Sequence, residues 1–211
     1  MSTQISVQEP IFAFTSGETF EEYCDAQSPQ QANLLRRILA GMRIDPDTQC
    51  YLATYSTWLT CCLLVGDETP DTALIVPIVV RLAECCPRLD LRIVSDSNDL
   101  AALNELVDDD LDLEEELDEI DLPLLFFFDD EWNQQARWGP RPVAAEKRLD
   151  EWLTVHPEYG ALLEDDENGD PAVLEQWIEQ LIHQMRLWYH DDLTGATIGE
   201  IRTVLQQLDS D

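Results

Sequence analysis

The chain has 211 residues, 45% of them hydrophobic, and a formal net charge of −32. That length suits one domain with extensions or two small ones, and the apolar fraction is enough for a real core. So negative a surface repels phosphate backbones and anionic headgroups, which argues against nucleic-acid and membrane partners.

Of the 12 basic residues, all but Lys147 are arginine. Acidic excess with almost no lysine is the composition of a surface suited to high salt. The first residues carry no basic stretch followed by an apolar core, and no apolar run reaches the ~18 residues that span a bilayer. A cytoplasmic location is expected. The 6 cysteines contain no C-x-x-C pair and read as thiols, mostly small buried hydrophobes.

Residues 1–18 read as a polar lead-in. Thr19 is placed to cap a helix starting at Phe20, and Ala32, Leu35, Ile38 and Leu39 fall at helical spacing before a stop at Gly41. These helices form an expected N-terminal extension over residues 1–50, covering one face of a sheet.

The expected core spans 51–155. Its centre is the apolar run Trp58 to Val65, a buried strand, followed by the polar loop Gly66-Asp67-Glu68. Thr69 is expected as the N-cap of the next helix, with Pro70 at its first position, ending before Pro87. Leu89 to Val94 alternates as a strand and returns parallel to the first, giving a β-α-β unit. Asp99 to Val107 reads as a helix. Residues 108–121 carry 10 acidic side chains in 14, with Leu113, Leu117 and Ile120 as a thin apolar stripe. Such a block is a solvated face, with weak cation binding or recognition of a basic partner as its functional readings. Leu122 to Phe128 and Gln134 to Trp138 form a hairpin, with Pro123 where no ladder donor is needed. Val143 to Val155 is helical.

An expected C-terminal helical extension covers 156–211. Glu164, Asp166, Asn168, Gly169, Asp170 and Glu175 imitate a calcium loop, but its first position is Glu rather than Asp, and Pro171 stands where an apolar strand residue belongs. The plainer reading has Asp170 capping a helix from Pro171 to Trp188. Asp191 to Gly195 reads as a turn before a last helix. His156, His183 and His190 show no ligand spacing. No phosphate loop and no nucleophile elbow occurs, and neither metal nor cofactor is implied.

Strand, loop, helix with Pro77 inside it, strand, helix, X-Pro, hairpin and helix is an order similar to the thioredoxin fold, an α/β class with a central mixed sheet flanked by helices. Asp67 to Asp71 and Val76-Pro77-Ile78 resemble the active loop and kinked helix of a bacterial group of thioredoxin family proteins that carries Trp-Cys-Gly-Asp at the loop. Leu122-Pro123 looks like the superfamily's cis-proline step. Arg137-Trp138-Gly139-Pro140-Arg141-Pro142 resembles the group's Trp-Gly-Pro-Arg-Pro signature, and Trp188-Tyr189 its closing Trp-Tyr.

The resemblance places Thr69 at the attacking cysteine and Thr72 at the resolving one. A threonine hydroxyl stays protonated near neutrality and cannot exchange with disulfides. Cys61 and Cys62 lie inside the strand, and seven extended residues span roughly 23 Å, so they are far from the loop. Cys85 and Cys86 end the helix, where the dipole disfavours thiolate. The resemblance therefore implies a redox-inactive module that binds a protein or peptide through Glu68, Thr69, Pro70, Leu122, Pro123, Trp138 and Arg141, with no catalytic residue. The alternatives are a thiol-disulfide oxidoreductase using a non-standard cysteine, and a regulatory protein that recognises its partner through 108–121.

Overall fold

The computed structural model describes residues 17–66, 69–96, 100–108, 111–113, 115–159 and 171–209. Their contacts divide the chain into two compact units, Met1–Pro140 with Ile201–Asp211, and Arg141–Glu200.

The first unit opens with three helices, each started by a side-chain cap. Thr19 and Glu22 form a reciprocal capping box at α1, Phe20–Ala26. Ser28 accepts from the Gln31 N–H at α2, Pro29–Gly41. Asp45 accepts from the Thr48 N–H at α3, Pro46–Thr54. The third helix is absent from the sequence reading. Arg36 pairs with Glu21 and Asp25 at 2.8 and 2.7 Å, tying α2 to α1.

The sheet runs in the order β2-β1-β3-β4. Strand β1, Leu59–Val65, lies parallel to β2, Leu89–Ser95, with Leu59 opposite Leu89. Strand β3, Leu124–Phe128, runs antiparallel to β1, and β4, Gln134–Trp138, antiparallel to β3. Between β1 and β2 lies α4, Thr72–Cys85. Pro77 sits within it and removes one backbone hydrogen bond to the carbonyl four residues back.

The central strand is buried on both faces, as its unbroken apolar run requires. Cys62 and Leu64 join Val94, Leu124, Phe126 and Phe128 in one cluster. Cys61, Leu63 and Val65 alternate to the opposite face. There, Leu91 and Ile93 line a cavity of about 340 Å³ with Leu39 of α2 and Val80 and Ala83 of α4, so these two helices cover that side. Arg81 of α4 donates to the Leu39 carbonyl at 2.6 Å and pairs with Glu84, closing the C-terminus of α2.

After β2, the expected helix from Asp99 shrinks to a single turn, α5, Ala101–Asn104. The acidic stretch that follows is fastened to the first cluster. Leu113 is fully buried within that cluster, Leu117 and Ile120 pack against the cluster, and Asn104 accepts from the Leu113 N–H at 2.7 Å. Gln134 and Asp108 also hydrogen-bond. The thin apolar stripe thus outweighs the tendency of like charges to stand off.

The second unit contains α6, Val143–Val155, and α7, Pro171–Trp188. A turn of π-helix, Tyr189–Leu193, leads directly into α8, Thr194–Leu208, whose last residues belong to the first unit. The turn expected at Asp191–Gly195 is therefore a helical continuation. The Thr194 N–H and hydroxyl both donate to the Tyr189 carbonyl, the hydroxyl at 2.8 Å, closing the π-turn. Trp152, His156, Tyr159 and Trp177 form an aromatic cluster with centroids 4.4–6.0 Å from their neighbours. In the first unit, Arg202 of α8 reaches Thr48 at 3.0 Å and lies over the Tyr51 ring.

Candidate functional site

The C-terminal ends of β1 and β2 and the entry to β3 meet at one place. In open α/β sheets this is where ligands bind, since the loops there are free to vary over a rigid support. After Val65 the chain passes Gly66 and returns at Thr69, whose N–H donates to the Gly66 carbonyl at 3.4 Å.

Thr69 is not the cap of α4. Its hydroxyl faces the Gly66 carbonyl at 3.3 Å and the Thr72 hydroxyl at 2.6 Å. The N-cap position falls to Asp71, whose carbonyl accepts from the Leu74 and Ile75 N–H groups and whose side chain makes no capping bond. The hydroxyl is therefore held by a three-residue turn. Thr72 and Asp71 are both buried, and Thr69 and Pro70 are half-buried.

Gly66 sits at the centre of the site. A Cβ there would come within 2.9 Å of Thr69 Cγ2, 3.3 Å of Asp96 Oδ2 and 3.4 Å of Leu122 Cδ1. These contacts bring together the loop after β1, the residue after β2 and the segment before β3. Asp96 is anchored by its N–H, which donates to the Val65 carbonyl at 2.9 Å. Its carboxylate is half-buried and accepts a long bond of 3.4 Å from the Ser95 hydroxyl.

The Leu122-Pro123 and Gly139-Pro140 bonds are both cis. Leu122 and Pro123 are buried, and the Leu122 side chain belongs to the first core cluster. Among the described residues, the backbone hydrogen bonds of turns and loops do not include Leu122. Gly139 has φ +131, and a Cβ on it would lie 2.3 Å from the Pro123 carbonyl oxygen, so only glycine allows this backbone approach.

Of the residues expected at the site, Thr69, Pro70, Leu122 and Pro123 belong to this region, and Glu68 lies outside the described residues. Trp138 is buried in β4 opposite Leu125. Arg141 belongs to the second unit and pairs with Glu146 at 3.1 Å. Asp96 has no role in the sequence reading, where it falls between the strand ending at Val94 and the helix expected from Asp99. The available signal was its place directly after the second of two parallel strands.

The thiols lie elsewhere. Burial pushes the Cys61 thiol well above its ordinary range, reinforced by Cys62, and pushes Cys62 up to about 12. Burial also raises Cys86 and Cys24. Cys50 is exposed on α3, and Cys85 half-buried at the end of α4. His156 lies tilted against Trp152 and Trp177 in the second unit, and His183 and His190 are exposed. Of the calcium-like spacing, Glu164 to Asp170 lies outside the described residues. No described helix is long and apolar enough to cross a membrane.

A mixed four-stranded sheet in the order β2-β1-β3-β4, with a proline-containing helix after its central strand and an X-Pro step before β3, defines a thioredoxin-like α/β fold. A family profile described as Thioredoxin matches residues 17–153, and the chain belongs to that thioredoxin family. No curated protein matches the chain. Among solved structures, a protein of unknown function from Pseudomonas aeruginosa is similar over 92% of this chain and 95% of its own, at 15% identity and TM-score 0.59. An HIV epitope scaffold is similar over 93% and 97%, at 16% identity and TM-score 0.59. At such identities the two share a fold with this chain and nothing finer.

Proposed function

We propose that this thioredoxin-family protein binds an extended polypeptide and carries out no thiol-disulfide exchange. The observation that carries the reading is the Thr69–Thr72 hydroxyl pair, 2.6 Å apart, at the mouth of the β1–α4 turn. In the resemblance that sequence gives, these are the positions of the attacking and resolving cysteines. Exchange needs a thiolate, and a threonine hydroxyl supplies none near neutral pH. The thiols of β1 are buried and held protonated, which removes them as replacements.

Binding is supported by what surrounds the pair. The Leu122 side chain meets Thr69 over Gly66, and among the described residues the Leu122 backbone takes no part in the turn and loop hydrogen bonds. An extended chain laid there would pair with that backbone as an added strand does, with affinity from main-chain bonds and selectivity from neighbouring side chains. Thr69 and Pro70, half-buried, form the adjoining surface. The core position of the Leu122 side chain fixes the backbone for this use, since nothing needs to reorganise on binding.

Two measurements test the reading. Insulin reduction driven by dithiothreitol should proceed no faster with the protein than without it. Backbone amide shifts should move at Thr69 and Leu122 when an extended, uncharged heptapeptide is added. Reductase activity lost in Cys61→Ser would establish catalysis through a non-standard cysteine and overturn the redox-inactive part. Shifts confined to other surfaces would overturn the binding part.

A further inference from the structure

We infer that Asp96 makes this site selective for polypeptide segments carrying a lysine or arginine. The inference rests on the peptide-binding reading above and adds the chemistry of the partner. Asp96 follows β2 directly, and its Oδ2 stands over Gly66 beside Thr69 and Leu122, the two residues between which an extended chain would lie. The carboxylate has one side-chain hydrogen bond, the 3.4 Å contact from Ser95, and that contact reaches Oδ1. No described arginine, lysine or histidine pairs with it. Other carboxylates are differently placed: Glu21 and Asp25 share Arg36, Glu84 has Arg81, Glu146 has Arg141 and Asp192 has Arg148. Asp96 is both half-buried and without a basic partner, so its second oxygen is left for an incoming group.

The surrounding field favours the same ligand class. Thr69, Thr72 and Asp71 add hydroxyls and a carboxylate around the turn, and the whole chain carries −32. A partner with an acidic side chain at this position would meet like charge at short range in a partly desolvated place, where repulsion is strong. A lysine or arginine would form a charge-assisted hydrogen bond with Oδ2, among the stronger contacts available to a peptide. The long-range field would attract basic chains to any part of the surface. Asp96 would decide where their cationic side chain docks.

The test uses the full chain and two fluorescein-labelled extended heptapeptides that differ only in a central lysine or norleucine. Binding is followed by fluorescence anisotropy in high salt, where long-range attraction is screened. The lysine peptide should bind wild type about tenfold more tightly than the norleucine peptide, the worth of one charge-assisted bond. Asp96→Asn, which keeps the shape, should erase that ratio by weakening the lysine peptide about tenfold. Asp90→Asn, near the other end of β2, should leave the ratio intact, and unchanged thermal midpoints verify that both variants fold. A ratio that survives in Asp96→Asn overturns the assignment of Asp96 while peptide binding stands. Binding of neither peptide overturns the peptide-binding reading, and this inference with it.

Discussion

The hydroxyls of Thr69 and Thr72 stand 2.6 Å apart, one half-buried at the turn and the other sealed at the first residue of α4. Because Thr72 is only 1% exposed, water cannot replace its partner. Thr69→Val should cost about 1 kcal/mol, typical of a buried neutral hydrogen bond left half-made. Thr72→Val in that background should cost less than it does alone. A double-mutant cycle by urea denaturation reads the difference, and strict additivity would mean the two hydroxyls do not interact. The same proximity predicts that Thr69→Cys/Thr72→Cys closes an intramolecular disulfide on mild oxidation, visible by mass spectrometry as the loss of two hydrogens.

Gly66 and Gly139 are predicted to be intolerant of alanine in different degrees. At Gly66 the nearest atom is the Thr69 methyl at 2.9 Å, which can yield only by breaking the hydroxyl contacts of Thr69. Gly66→Ala should cost about 1–3 kcal/mol, as overpacking does. At Gly139 the obstacle is the Pro123 carbonyl at 2.3 Å and φ is +131, so both backbone and conformation oppose a side chain. Gly139→Ala should be the more damaging and should lower the yield of folded protein. Gly199, on a helix with nothing within 4 Å of a Cβ, is the contrast. There alanine should stabilise by about 0.5–1 kcal/mol.

Much of this architecture was legible because its elements follow single strong signals. The run Leu59 to Val65 is too apolar and too short to be anything but a buried strand, and Gln134–Trp138 and Val143–Val155 end where they were read. Helix α3 escaped because Gln49, Cys50 and Tyr51 dilute its apolar period, although Asp45-Pro46 repeats the cap-and-proline signal that opens α2. The expectation at Asp191–Gly195 failed because Asp and Gly signal a turn locally, while Arg148, 2.8 Å from Asp192, and the Thr194 hydroxyl hold the segment helical. At the site, Thr69 was visible but its role was not. A cap and a turn hydroxyl share the same residue preference, and only the positions of Gly66 and Thr72 separate them. Asp96 could not be singled out, since its neighbours come from segments far apart in sequence.

Stability should fall steeply in alkali. Burial raises the Cys62 thiol from 9.0 to about 12, and Cys61 in the same direction. A folded value above the unfolded one means the folded chain holds the proton more tightly. The stabilisation is complete below pH 9.0 and is lost as pH rises toward about 12. Burial and then Asp209 raise Tyr51 from 10.0 to about 12, adding to the slope above pH 10. Urea midpoints between pH 8 and 11 should therefore decline. Cys61→Ala/Cys62→Ala should be less stable at pH 8 but decline more gently. An unchanged slope would mean that the thiols are not the groups being titrated. In native protein at pH 8, Cys50 should alkylate first and the strand thiols only on unfolding.

The acidic stretch sets two opposed terms against each other, and salt should reveal the balance. Leu113 is fully buried in the first cluster and its N–H is held by Asn104 at 2.7 Å, so Leu113→Ala should cost about 2–5 kcal/mol. Around that anchor Glu115, Glu116, Glu119 and Asp121 are exposed, within a chain whose net charge is −32. Their mutual repulsion opposes docking and is screened over about 10 Å at 0.1 M salt and about 3 Å at 1 M. The urea midpoint should therefore rise as sodium chloride is increased across that range. Glu115→Gln/Glu116→Gln/Glu119→Gln should raise the midpoint at low salt and shrink its dependence on salt, because the repulsion is removed chemically rather than screened. If the triple variant kept the full salt response, the repulsion would lie elsewhere on the surface, and Leu113 would be holding down a segment that has no tendency to leave.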